Sequence, residues 1–203
     1  MAQILVRQLK NAGVDEVVIC LGYLSDLITA FFGDGKQSGL SIRYSYESTP
    51  LGTAGPLAKV KDLAEDFLVV NADEFTTLNF LDLYTFHQAA GPAMTVAVQS
   101  KPIKHNFGVM KIRGGKVFGY KEKPSFNHWV SMGIYVLNRR VVELIPADTK
   151  FDMPDLVNSL LDRKEKVISY MSEDLWIDIG TLEDLRKAQE MASSLGPELL
   201  KLE

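Results

Sequence analysis

The run Phe67-Leu68-Val69-Val70 breaks off into Asn71-Ala72-Asp73-Glu74, and no other stretch constrains the fold as strongly. Four apolar residues between polar flanks read as a buried strand of a parallel sheet. In open α/β sheets, ligands bind in the crevice beyond the carboxyl ends of the strands. A carboxylate at that edge, Asp73, is placed to hold a hard cation or a ligand hydroxyl. From this stretch alone the simpler reading of Asp73 is a turn start or a helix cap.

Val17 to Leu21 forms a second β-branched run of the same kind. It contains the only cysteine, Cys20, which reads as a buried, inert thiol with no internal disulfide partner. A helix over 3–12 precedes this run and stops at Gly13; Ser25 is expected to cap a helix over 26–32. Leu40 to Tyr46 alternates as a strand, and a helix is expected over 56–64. Leu81 to Ala89 reads as a helix, Met94 to Val98 as a strand, and Arg113-Gly114-Gly115 as the turn of a hairpin. Further strands are expected over 129–137, 167–171 and 176–180, with short helices over 140–145 and 152–161. Thr181 is placed to cap a last helix, with Asp184 completing a capping box, before a polar tail over 195–203. Helices and strands alternate up to residue 98 and hairpins follow. This predicts one three-layer α/β domain over 1–203, mostly parallel, with a mixed-sheet insertion.

Charge narrows the partners. Lys and Arg number 22 against 26 Asp and Glu, a net charge of −4, so no basic field exists to hold nucleic acid. No stretch has the length of a membrane span, and the start carries no signal-peptide pattern. A soluble, cytoplasmic protein is the expectation.

Three further places can carry chemistry. The loop from Glu47 to Pro56 includes Pro50, Gly52, Thr53 and Gly55. Its glycines allow the backbone to approach a flat base or a phosphate, or it simply links a strand to a helix. Glu122-Lys123-Pro124 offers a carboxylate for sugar hydroxyls and an ammonium for phosphate, or a solvated charge run. Asp178 interrupts the apolar run Trp176-Ile177-Asp178-Ile179, where a charge must be paired or bind a metal. His87, His105 and His128 lack metal-ligand spacing and read as packing or surface residues.

The order of these pieces is more specific than any one of them. A glycine loop precedes Asn71-Ala72-Asp73; Phe107-Gly108-Val109, Glu122-Lys123-Pro124, Ser131-Met132-Gly133-Ile134-Tyr135 and Trp176-Ile177-Asp178-Ile179-Gly180-Thr181 follow. The succession, from residue 3 to about 190, resembles the sugar-phosphate nucleotidyltransferases, or NDP-sugar pyrophosphorylases. Pro50 to Pro56 looks most like the mannose-1-phosphate guanylyltransferase branch. The resemblance implies a Rossmann-like mixed sheet and the reaction of an NTP with a sugar 1-phosphate to give an NDP-sugar and pyrophosphate. It also implies Mg2+ held by Asp73 and Asp178, and Lys123 on the sugar phosphate. Glu47, Pro50, Gly52 and Thr53 match the segment that reads the nucleobase. Asn71 leads the aspartate motif, Gly108 and Gly133 match sugar-contacting positions, and Glu122 matches the carboxylate on the sugar hydroxyls. Ala72 stands where glycine or serine is commoner.

The family's first strand leads into a Gly-x-Gly-x-Arg loop that cradles the triphosphate, and no such motif occurs in these 203 residues. That strand belongs between the strands at 17–21 and 67–70. Without it, nucleotidyl transfer is expected to be slow. The two strands are expected to pair directly, to take a strand from a second copy or a partner chain, or to leave the protein poorly stable. A non-catalytic sugar-nucleotide-binding or regulatory subunit is the alternative function.

Overall fold

A four-stranded sheet organises the chain, and β8 (Ser125–Asn138) lies at its centre. The computed structural model describes residues 2–196. Strand β3 (Asp66–Val70) pairs antiparallel with one edge of β8, and β5 (Met94–Lys104) pairs antiparallel with the other. Strand β9 (Val167–Met171) then adds parallel to β5. Alternation along β8 builds two apolar layers. Tyr135 and Leu137 face α4 (Met153–Asp162) through Leu156 and Leu160. Ile134 and Val136 face α1 (Ala2–Asn11) and α3 (Phe80–Ala90) through Leu5, Leu9 and Leu83. Helices thus cover both faces, giving three layers.

Two smaller strand pairs complete the frame. Strand β1 (Glu16–Leu21) pairs in parallel with β2 (Ser41–Tyr46), and α1 covers them through Val6 against Leu40 and Ile42. Strand β4 (Glu74–Thr76) pairs antiparallel with β10 (Trp176–Asp178), with Asp178 opposite Glu74. Helix α5 (Leu182–Ser194) buries Ala188 against Phe75 beside this pair. Thr181 caps it as expected, its hydroxyl oxygen accepting from the Asp184 amide. The hairpin β6 (Val109–Arg113) and β7 (Lys116–Lys121) projects between β5 and β8.

Several expectations need correction. The sheet is mixed rather than mostly parallel: among the described residues only β1–β2 and β5–β9 run parallel, because β8 returns directly beside β5 after the hairpin. Strand β3 has one ladder partner, the antiparallel β8, and all five of its residues are only half-buried. Strands β1 and β3 do not pair with each other. Val17 meets Leu68 and Val70 only through a shared apolar cluster. Cys20 is exposed, because a two-stranded sheet covered on one face leaves alternate residues of β1 open. Helix α2 (Ser25–Phe32) starts one residue early, after Leu24 in the left-handed region, and no side chain caps it. The helix expected over 56–64 is a short 3-10 turn, Gly55–Lys59, and the extended Val60 ends it. The segment over 140–145 is likewise a 3-10 turn, Arg139–Leu144, capped by Asn138. Strand β4 had no sequence signal, being three residues long. The expected polar tail falls largely on residues 197–203, outside the described residues, and Leu195 packs against α5's apolar cluster.

His87 is buried on α3 as a packing residue. Its Nδ1 lies 2.8 Å from the Thr95 hydroxyl and its Nε2 3.3 Å from Asp66 Oδ1. Burial holds its pKa below the ordinary 6.5, although Asp66 pulls the other way. The unfolded chain therefore takes up a proton below about pH 6.5 that the native state resists, so stability falls as pH drops through that value. Thermal melts between pH 7.5 and 5.5 are expected to show a shallower loss for His87→Gln than for the parent. Equal slopes would refute this account of His87.

Candidate active site

The turn after β3 and the end of β10 bring two distant segments together. Asp73 follows β3, and Asp178 is the last residue of β10. The Ile179 amide donates to the Asp73 carbonyl at 3.0 Å, so the backbone itself ties the two aspartates. One carboxylate oxygen from each of Asp73, Glu74 and Asp178 lies within 4.8 Å of the others. Asp73 and Asp178 are exposed, while Glu74 is 6% exposed. Exposed carboxylate oxygens at this spacing, carried on two strands, fit a hard divalent cation that keeps part of its water shell. The sequence had placed the paired or metal-bound charge in the apolar run at Asp178. The structure buries Glu74 instead.

Glu74 is held from two sides. The Trp176 indole donates to its Oε2 at 2.6 Å, and its Oε1 lies on the side of Gly133 and the Asn71 amide. Burial pushes its pKa up to about 7; the Trp176 bond opposes this, while Asp178 and Asp73 add to it. Gly133, on β8, has φ +68°, and a Cβ there would collide with Glu74 Oε1 and the Asn71 Nδ2. The Asn71 amide nitrogen of the backbone donates to the Gly133 carbonyl at 3.0 Å. Asn71, Asp73, Gly133 and Asp178, widely separated in sequence, thus meet around a residue that sequence reasoning missed. Its one local signal was a second carboxylate directly after Asp73.

The glycine loop is anchored by the start of α4. The Thr53 amide donates to Asp152 Oδ1 at 3.0 Å, and the Met153 amide donates to the Thr53 hydroxyl at 2.8 Å. Gly52 has φ +80°, and Phe151 and Asp152 fill the space a side chain there would need. Glu47 accepts from the Leu51 amide at 3.1 Å and closes the loop from its start, while Pro50 stays exposed. The sequence could not reveal an anchor one hundred residues away.

On the projecting hairpin, Tyr120 joins two other expected residues. Its hydroxyl donates to the Glu122 carboxylate, and its ring occupies the space beside Gly108 where a Cβ would stand. Lys123 follows with φ +42°, in a region that only glycine adopts freely. A strained lysine beside a bonded carboxylate is the kind of backbone outlier found at ligand clamps.

Comparison with known proteins shows the family and the fold. Residues 1–194 match the family model described as nucleotidyl transferase. The chain is 30% identical over 208 residues to the mannose-1-phosphate guanylyltransferase catalytic subunit beta of Dictyostelium discoideum, covering 96% of this chain and 57% of that protein. It is 29% identical to the D-glycero-alpha-D-manno-heptose 1-phosphate guanylyltransferase of Aneurinibacillus thermoaerophilus, covering 90% of this chain and 80% of that one. The crystal structure of HddC from Yersinia pseudotuberculosis complexed with GMP-PN shares the fold, with a TM-score of 0.69 at 20% identity over 94% of this chain and 84% of that one. The chain spans little more than half the length of several relatives it matches. With its mixed, Rossmann-like sheet and the family match running through Asp73 and Asp178, the protein belongs to the nucleotidyl transferase family.

Proposed function

We propose that the protein transfers a nucleotidyl group from an NTP to a sugar 1-phosphate. A phosphate oxygen of the sugar 1-phosphate forms a bond to the α-phosphorus, the bond from that phosphorus to the β-phosphate bridging oxygen breaks, and pyrophosphate leaves. The observation that carries this reading is the meeting of Asp73 and Asp178 at the site formed by β4 and β10. Both guanylyltransferase relatives named above, and the GMP-PN complex of HddC, support GTP as the donor. Relatives named as transferases do not favour a purely binding or regulatory role.

Asp73 and Asp178 would hold Mg2+, which neutralises phosphate charge when bound. Glu122 orients the sugar hydroxyls, and Lys123 holds the sugar phosphate. The loop from Glu47 to Thr53, fixed by Asp152, presents backbone groups to the base. Catalysis on this reading is positioning and charge neutralisation, with no covalent intermediate. A single cysteine suits a reducing compartment and supports the cytoplasmic expectation.

The test is product formation from each common NTP with mannose 1-phosphate and related sugar 1-phosphates, followed by mass spectrometry over hours so that slow transfer registers. NDP-sugar that requires both substrates is the expected result. Absence of any NDP-sugar, or pyrophosphate release independent of the sugar phosphate, would overturn the reading. Glu122→Ala is expected to weaken sugar 1-phosphate binding by about 1.5–3 kcal/mol, the range for hydrogen bonds to charged groups. Lys123→Ala is expected to weaken phosphate-bearing ligands and spare the free sugar. Calorimetry with equal losses for both ligand types removes that role from Lys123.

A partner strand belongs to the same proposal. Among the described residues β1 has a ladder partner only in β2, and β3 only in β8. Each leaves one edge that an extended segment from a second copy or another chain can complete. Protection from hydrogen exchange, in an isolated monomer, of the β1 and β3 amides that do not bond β2 or β8 would count against it.

A further inference from the structure

Glu74 lies among the acidic groups of the candidate site, yet it differs from both aspartates. Asp73 and Asp178 are exposed, and Glu74 is 6% exposed. Both of its oxygens face groups of the protein. Oε2 accepts from the Trp176 indole at 2.6 Å. Oε1 lies on the side of Gly133 and the Asn71 amide, both of which border the space a Cβ on Gly133 would fill. Each partner is two residues from an aspartate: Asn71 precedes Asp73, and Trp176 precedes Asp178. Glu74 itself sits directly opposite Asp178 in the β4–β10 register.

A buried carboxylate with one oxygen bonded to the Trp176 indole and the other turned to Gly133 and Asn71 is poorly placed to ligate an ion. It is well placed to hold the two segments that do. The repulsion of two exposed aspartates would otherwise spread β4 and β10, a pair only three residues long on each side. The indole is fixed from another direction too: the Lys101 ammonium sits 5.0 Å from its ring centroid.

We propose that Glu74 is a positioning residue that sets the separation of Asp73 and Asp178 by bonding Trp176 and packing against Asn71, and that it does not itself ligate the cation. The inference rests on the reading of the two aspartates as the cation site.

Mn2+ titration, followed by the electron paramagnetic resonance of the free ion, separates the two. Asp178→Asn tests the cation site: its Mn2+ affinity is expected to fall at least tenfold, and an unchanged affinity overturns the site reading itself. Glu74→Gln keeps an acceptor for the indole and the packing against the Asn71 amide. Its affinity is expected to stay within about threefold of the parent. Glu74→Ala removes the Trp176 bond and the packing against Asn71 and is expected to lose about 10–100-fold, the usual cost of losing a partner behind a metal ligand. If Glu74→Ala does not fold, Trp176→Phe takes its place. It keeps the ring, loses the N–H, and is expected to weaken Mn2+ binding several-fold while melting as a folded protein. A Glu74→Gln loss as large as that of Asp178→Asn would make Glu74 a ligand and overturn the proposal. Full affinity in Glu74→Ala, or in Trp176→Phe where the alanine variant fails to fold, would overturn it as well.

Discussion

Asp178→Asn is expected to slow nucleotidyl transfer by roughly 10²–10³-fold, with little change in melting temperature. The rate effect follows from removing a charge that holds the cation against the transferring phosphates; losing one preorganised electrostatic contact of that kind costs several kcal/mol of transition-state stabilisation. The small stability effect follows from geometry. Asp178 is exposed, and its tie to the β3–β4 turn runs through the backbone amide of Ile179, which the substitution keeps. The asparagine also removes a negative charge from a cluster of three carboxyl groups, so the native state gains a little from relieved repulsion. Initial rates and calorimetric melts on the same preparation test both halves. A rate within threefold of the parent would take Asp178 out of the reaction, and a collapse of the melt would make its role structural.

Gly133→Ala is expected to destabilise the protein by about 2–5 kcal/mol. Its φ of +68° costs a residue with a Cβ about 1–2 kcal/mol. The added methyl would also stand where Glu74 Oε1 and Asn71 Nδ2 now lie. Moving the buried carboxylate breaks its bond to Trp176, which costs about 1–3 kcal/mol more. Because β8 is the centre of the sheet, the strand cannot shift to make room: Ile134 and Val136 beside it are fully buried in the core. Denaturant unfolding measures the stability loss, and Mn2+ affinity is expected to fall with it, since the displaced pair links both aspartates. A loss below about 1 kcal/mol would show that β8 yields more readily than its packing implies. The resemblance to known transferases had marked Gly133 as a sugar-contacting position. The structure supplies a separate reason for glycine there.

What the sequence alone determined was local. Apolar runs with the right period located β1, β3, β5, β8 and β9, and the cap residue Thr181 located the start of α5. The order of short motifs was enough to identify the family and to single out Asp73 and Asp178. Burial, pairing and direction were decided only by the tertiary structure. An apolar run reads the same whether one or both of its faces are covered, so Cys20 and β3 were expected to be buried and are exposed and half-buried. Periodicity carries no strand direction, so the antiparallel centre of the sheet was not legible. The contacts that build the site span long separations: Glu74 to Trp176, Thr53 to Met153, and Glu74 to Gly133. A hydrogen bond of that span leaves no mark on the residues near either end. Glu74 therefore looked like one more polar residue in a turn, and only the closing of β4 against β10 made it the buried carboxylate of the site.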